Sequence, residues 1–174
     1  MAAVTERLSG RRDLRWPLYA MKRNGDDSAE RFKANPGGVL LATGAAWEGL
    51  DFPGDIVSLL IIPQLPFPSP DAVSEERKKN YPSLQDFIRA DVVPRMQIKL
   101  KQGFGRAIRT ETDTCVVAVL DGRAAPGNPY YKDVLAALPE MRRTRSLSEV
   151  SRFIRNMKLY GYFLEPPEAN ANSP

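Results

Sequence analysis

Histidine is absent from the 174 residues, and cysteine occurs once, at Cys115. Without histidine the chain lacks the usual proton shuttle at neutral pH and the commonest metal ligand. A single cysteine excludes an internal disulfide and leaves a thiolate metal cluster without ligands. A hydrolytic triad and a zinc hydrolase are disfavoured on these grounds, although carboxylates could still hold magnesium. No apolar run is long enough to cross a bilayer; the longest, Ile56 to Pro63, is interrupted by Ser58. The opening MAAVTERLSGRR has no continuous apolar core, which disfavours a secretory signal. The phosphate-loop pattern GxxxxGK followed by Ser or Thr is also missing.

What is there reads as a globular chain, 43% hydrophobic and 26% charged. The formal net charge is +4, a surplus that only weakly favours an anionic partner. Its distribution says more. Arg11, Arg12, Arg15, Lys22 and Arg23 gather near the start, Arg77, Lys78 and Lys79 in the middle, and Arg142, Arg143 and Arg145 late. Any of these groups could face nucleic acid or simply water.

Residues 1–15 are expected to be a flexible or truncated opening. Trp16 to Met21 can form a short strand before the polar turn Asn24-Gly25-Asp26-Asp27. A helix over Ser28 to Ala34 should stop at Asn35-Pro36-Gly37-Gly38. Val39 to Thr43, Ile56 to Ile62 and Cys115 to Leu120 are short apolar runs without alternation, the pattern of strands covered on both faces. Cys115 then reads as a buried strand residue. A parallel sheet flanked by helices follows, because crossover helices are what cover such strands.

Ser83 can cap a helix whose apolar side is Leu84, Phe87, Ile88, Val92, Met96 and Leu100, with Pro94 bending or dividing it. Asn128-Pro129 opens a helix over Tyr130 to Leu138. Ser146 and Glu149 form a capping box for another, with Val150, Phe153, Ile154 and Met157 as its buried stripe. The chain reads as one domain over 16–163, with a flexible tail over 164–174 that has little to bury.

Two segments carry chemistry. Ala42-Thr43-Gly44-Ala45-Ala46-Trp47-Glu48-Gly49-Leu50-Asp51-Phe52-Pro53-Gly54 begins at a strand end, where ligands gather in open α/β sheets. Thr43 offers a hydroxyl, Gly44 permits close backbone approach, and amides at a following helix start favour phosphate. Asp51 could accept from a ribose hydroxyl, and Glu48 could order the loop by pairing with an arginine. Each has a quieter reading. Gly44, Gly49 and Gly54 can be turn residues, Trp47 a packing residue, and Asp51 a cap for the turn at Pro53-Gly54.

Gln102-Gly103-Phe104-Gly105-Arg106-Ala107-Ile108-Arg109 is the sharper signal. Arg106 and Arg109 are three apart, so on a helix they share a face. Guanidinium groups stay charged, grip phosphate through paired hydrogen bonds and stabilise charge on a transferring phosphoryl group. Gln102 can orient water or a phosphate oxygen without titrating, and Gly105 removes bulk beside the arginines. The quieter reading is a solvated basic surface. Asp121 follows a strand, but beside Arg123 it reads as a local ion pair.

Together these segments resemble superfamily 2 helicases of the damage-inducible DinG and XPD branch. ATGAAWEGLDFPGD (42–55) resembles motif V, IIPQLPFPSPD (61–71) the connector after it, and QGFGRAIR (102–109) motif VI. The resemblance runs from about Trp16 to Phe163. It implies a RecA-like, P-loop-NTPase-type parallel sheet flanked by helices: the C-terminal lobe of a helicase, without the phosphate-loop lobe. Thr43 and Gly44 would then lie near the nucleic-acid backbone, and Trp47 and Glu48 would couple ATP state to strand binding. Gly49 and Asp51 would lie at the nucleotide, with Asp51 near its sugar. Gln102, Arg106 and Arg109 would face the γ-phosphate, Arg109 as the arginine finger.

The same resemblance implies ATP and Mg2+ as cofactors of the complete two-lobe enzyme, with neither held tightly by this chain alone. No metal ligand is assigned here, and an iron–sulfur cluster would belong elsewhere. The expected partners are single-stranded DNA and a first RecA-like lobe in the same protein or a separate chain, with no membrane. A bacterial cytoplasmic location and a role in DNA repair follow from the family alone. Two other readings stand beside this one: a non-catalytic nucleic-acid-binding or regulatory lobe, and a structural partner-binding domain.

Overall fold

The computed structural model describes residues 2–11, 13, 16–22, 26–35, 37–43, 49–52, 54–110 and 112–158. The chain divides into two compact units, Met1–Ser58 with Thr144–Pro174, and Leu59–Arg143. The first fifteen residues include an exposed helix, α1 (Ala2–Ser9), which buries no side chain.

In the first unit, β1 (Leu18–Ala20) pairs in parallel with β2 (Val39–Leu41), Tyr19 opposite Leu40. Parallel strands need a crossover, and α2 (Ser28–Ala34) supplies it with the bounds the sequence predicts. Its start is fixed by Asp26, whose carboxylate accepts from the backbone N–H of Ser28 at 3.0 Å and of Lys22 at 3.2 Å. These hydrogen bonds hold the Asp26 carboxyl below the ordinary carboxylate range. Gly38 is required by contact: a Cβ there would lie 2.6 Å from the Tyr19 ring and 2.8 Å from the Pro17 carbonyl oxygen.

Tyr19, Phe32 and Phe52 form this unit's buried cluster, with Leu40, Leu50, Ile56 and Val57 against it. The rings meet edge to face, with centroids 6.3 Å apart for Tyr19–Phe32 and 5.6 Å for Phe32–Phe52. Such pairs add about 0.5–1.5 kcal/mol beyond the area they bury. The last described helix, α7 (Leu147–Met157), begins at Ser146, whose hydroxyl accepts from the Glu149 N–H at 3.4 Å. Its predicted stripe is less covered than expected. Val150 and Ile154 are half-buried, while Phe153 and Met157 are exposed. The expected tail lies outside the described residues.

In the second unit, β3 (Leu59–Ile62) pairs in parallel with β4 (Val116–Val119), Leu59 opposite Val116 and Ile62 opposite Val119. The described strands thus form two parallel pairs. Full cover on both faces, expected from the apolar runs, does not hold for β3. Ile62 is buried, but Leu59 and Ile61 are 43% and 49% exposed. Alternate residues of a strand point to opposite faces, so one face of β3 is open. Apolar identity alone cannot reveal which face is covered. Ile56 and Val57 precede the strand, and Cys115 stands one residue before β4, half-buried instead of buried.

After the connector come α3 (Ala72–Lys78), α4 (Leu84–Phe87) and the long helix α5 (Val93–Ala107). Asp71 caps α3 through a reciprocal box with Ser74, absent from the sequence expectations. Ser83 caps α4, accepting from the Asp86 N–H as predicted. Leu84, expected in the apolar stripe, is 53% exposed. At the first helical position a long side chain has no preceding turn to lie on. Between α4 and α5 the turn over Ile88–Val92 widens, and the Val93 N–H reaches back five residues to the Ile88 carbonyl. Pro94 follows directly, so its missing donor falls where the widened turn has already shifted the hydrogen-bond ladder.

Helix α5 buries Val93, Met96, Leu100, Gly103, Phe104 and Ala107. Met96 and Leu100 have no solvent exposure, each worth about 1.5–3 kcal/mol of apolar burial. Helix α6 (Tyr131–Ala137) completes the unit after the Asn128-Pro129 opening, where the Asn128 amide donates to the Gly122 carbonyl at 2.6 Å.

Candidate nucleotide and strand-contact residues

The first candidate segment leaves β2 at Leu41. Thr43, Gly49 and Asp51 are exposed, whereas Gly44, Trp47 and Glu48 lie outside the described residues. A Cβ on Gly49 would meet nothing within 4 Å. Phe52 is the anchor that sequence reasoning missed: its ring enters the Tyr19–Phe32 cluster and turns the neighbouring Asp51 outward. Leu50 and Phe52 in, Asp51 out is the visible signal. Gly54 has φ 70°, so for this glycine the turn reading is correct. The next residue, Asp55, pairs with Lys158 at 2.6 Å, and the lysine side chain is 5% exposed. Lys158 also donates to the Asp55 carbonyl at 3.3 Å, tying the end of α7 to the end of this loop. Nothing in the spacing announces that contact.

The second segment occupies the last turns of α5. Gln102 and Gly105 are exposed and Arg106 is half-buried, opposite the buried Met96–Leu100–Phe104 side. Ile98, one turn before Gln102, is 58% exposed on that outer side. A Cβ on Gly105 would also meet nothing within 4 Å. Packing among the described residues therefore gives no reason for glycine there, although a helical glycine costs about 0.5–1 kcal/mol relative to alanine.

Arg109 departs from expectation. The helix ends at Ala107, and Ile108 is extended at φ −132°, ψ 111°, so Arg106 and Arg109 do not share a helical face. The cause is Asp113. One of its carboxylate oxygens accepts from the backbone N–H of Arg109 at 2.8 Å and of Thr110 at 3.0 Å, closing a turn where another helical turn would be. These bonds, the Arg109 one foremost, hold the Asp113 carboxyl below its ordinary range. Arg109 is left exposed on a turn whose backbone is fixed.

At the end of β4, Asp121 makes the expected local pair with Arg123, 2.6 Å at its closest. It also accepts from the Leu65 N–H at 2.9 Å, joining the segment after β3 to the segment after β4. The guanidinium of Arg123 lies 4.9 Å from the centre of the Phe67 ring. The Arg123 hydrogen bonds, then those from backbone, hold the Asp121 carboxyl far below its ordinary range. These groups satisfy one another. Among the described residues no group of three or more His, Cys, Asp or Glu could hold a metal ion. No described helix is long and apolar enough to cross a membrane.

A family model for the helicase C-terminal domain matches residues 1–141, most of the chain and both candidate segments. The chain belongs to the helicase C-terminal domain family. Its similarity to individual members of that family is substantial. It is 40% identical over 129 residues to the ATP-dependent DNA helicase YoaA of Haemophilus influenzae, covering 73% of this chain and 20% of that protein. It is 33% identical over 139 residues to the ATP-dependent helicase DinG of Mycobacterium tuberculosis, covering 76% and 21%. A Bacillus subtilis relative, 36% identical over 126 residues (69% and 13%), is named the 3'-5' exonuclease DinG. The chain spans about a fifth or less of these relatives, so this helicase C-terminal domain accounts for one part of such proteins.

Proposed function

We propose that this helicase C-terminal domain is the second RecA-like lobe of an ATP-driven DNA helicase and contributes half of its ATP site. Arg109 is the arginine finger, with Arg106 and Gln102 beside it, and Gly49 and Asp51 face the nucleotide. Thr43 and Gly44, with Trp47 and Glu48, contact or sense single-stranded DNA. The carrying observation is the end of α5. Asp113 holds the backbone of Arg109 in a turn, four residues after a glycine that no contact among the described residues requires. Fixed guanidinium groups stabilise charge on a transferring phosphoryl group without reorganising.

The donors of this chain suit a triphosphate, whereas its described residues offer no carboxylate cluster for magnesium. Mg2+ and the phosphate loop are assigned to the first lobe. ATP-driven movement further requires unequal grip on the strand in the two nucleotide states. The setting is the bacterial cytoplasm, in DNA repair.

ATP hydrolysis by the chain mixed with a first lobe, with and without single-stranded DNA, tests this reading. Strand-stimulated turnover should appear only in the mixture and should vanish in Arg109→Ala. Unchanged turnover in that variant removes the assignment. A second reading is a non-catalytic nucleic-acid-binding or regulatory lobe. It predicts strand binding with no ATPase in any mixture.

A further inference from the structure

The positive surplus of the chain is concentrated in one stretch of the sequence. Residues 142–158 hold six basic side chains and one acid, Glu149: a net +5 against +4 for the whole chain, so the remainder stands at −1. Several other basic side chains have local acidic partners. Arg77 pairs with Asp91, Lys78 with Glu75, Lys79 with Glu76, and Arg11 with Asp13. Arg143, Arg145, Arg152 and Arg155 are exposed and make no ion pair among the described residues.

Helix α7 sorts its side chains by face. At about 100° per residue, Val150, Phe153, Ile154 and Met157 fall on one side, and Ser148, Arg152 and Arg155 on the other. Val150 and Ile154 are half-buried, and Lys158 is locked to Asp55 at the helix end. Lys158 ties the end of the helix to its own unit, and Arg152 and Arg155 are exposed. Arg152 and Arg155 stand one turn apart, about 4.5 Å along the axis. Arg145 precedes the Ser146 cap.

Guanidinium forks stay charged and take phosphate oxygens through parallel hydrogen bonds. An open row of them suits an extended polyanion better than one small anion, which needs an enclosing pocket. A membrane fits less well. An amphipathic helix enters a bilayer by its apolar side, and here two residues of that side, Val150 and Ile154, are half-buried.

We propose that Arg145, Arg152 and Arg155 form a further nucleic-acid contact, a phosphate-backbone surface on α7 separate from both motif segments. It lies beyond residues 1–141 matched by the family model. Only the choice of nucleic acid as the polyanion rests on the helicase reading. Because Lys158 ties α7 to Asp55, a strand held on α7 is linked to the loop bearing Asp51.

The test is fluorescence anisotropy of a labelled oligothymidine with the 174-residue chain, without nucleotide, between about 50 and 200 mM salt. R145E/R152E/R155E should bind at least roughly tenfold more weakly. The slope of log affinity against log salt should flatten by about 2, near 0.7 per phosphate contact on a single strand. R152A/R155A guards against misfolding, since alanine favours helix, and should flatten the slope by about 1.4. Unchanged slopes in both variants overturn the proposal, as does no strand binding by the parent chain at the lowest salt. Binding to phosphatidylserine vesicles lost in the variants while strand binding persists also overturns it. The readout involves no nucleotide, so its failure and that of the ATPase reading are separately visible.

Discussion

Asp113 and Arg109 are joined through the backbone: the Arg109 N–H donates to the Asp113 carboxylate at 2.8 Å, and that bond sets where the arginine leaves α5. Arg109 is an exposed residue of that turn. Asp113→Ala should therefore preserve the fold yet lower ATPase in a two-lobe protein by on the order of 100-fold, the cost of a small misplacement of a catalytic group. Steady-state turnover with a far-UV spectrum checks this. Full activity in a folded variant would show that the turn does not position Arg109.

Gly105 separates stability from function. Alanine has open space at that position, so Gly105→Ala should stabilise the isolated chain by about 0.5–1 kcal/mol in urea unfolding. In the two-lobe protein the added methyl group meets the incoming surface, and turnover should fall at least roughly tenfold. A variant both more stable and fully active would mean that no surface approaches there.

Asp121 gives a pH signature. Its carboxyl is held far below the ordinary range, chiefly by Arg123 and then by backbone donors. A lowered pKa favours the folded state above the unfolded value, near pH 4. That contribution fades as acid carries the solution down through the folded value. Asp121→Asn should cost about 1–3 kcal/mol at neutral pH, with the gap to the parent chain narrowing below about pH 4. Urea midpoints across pH measure it; a gap independent of pH contradicts the assignment.

Helix α2 is legible from the sequence to the residue, because Asn35-Pro36-Gly37-Gly38 leaves a helix nowhere to continue. Residue type and spacing at Gln102, Arg106 and Arg109 motivate the proposed phosphate contacts in the same local way. The position of Arg109 is not, because α5 is ended by a carboxylate four residues further on, which no periodicity records. Nor are Phe52 and Lys158, whose roles arise only from tertiary contact. The open face of β3 belongs with them, since Leu59 and Ile61 read as core by identity.

Lys158 offers a test of the loop's anchorage. Its removal leaves Asp55 able to find water, since that carboxylate is 39% exposed. Lys158→Ala should thus cost about 1–2 kcal/mol, less than breaking a fully buried pair. The loss is read from the thermal midpoint, and proteolysis near α7 should quicken. An unaltered midpoint would mean that α7 is held by its apolar side alone.

The most direct test of the central claim is the single-turnover ATP hydrolysis rate of Arg109→Ala, in a protein carrying both lobes and saturated with single-stranded DNA. The rate should fall about 1,000-fold or more with nucleotide affinity little changed, the mark of a group acting mainly on the transferring phosphate. Hydrolysis at the parent rate in a folded, strand-binding variant would contradict it.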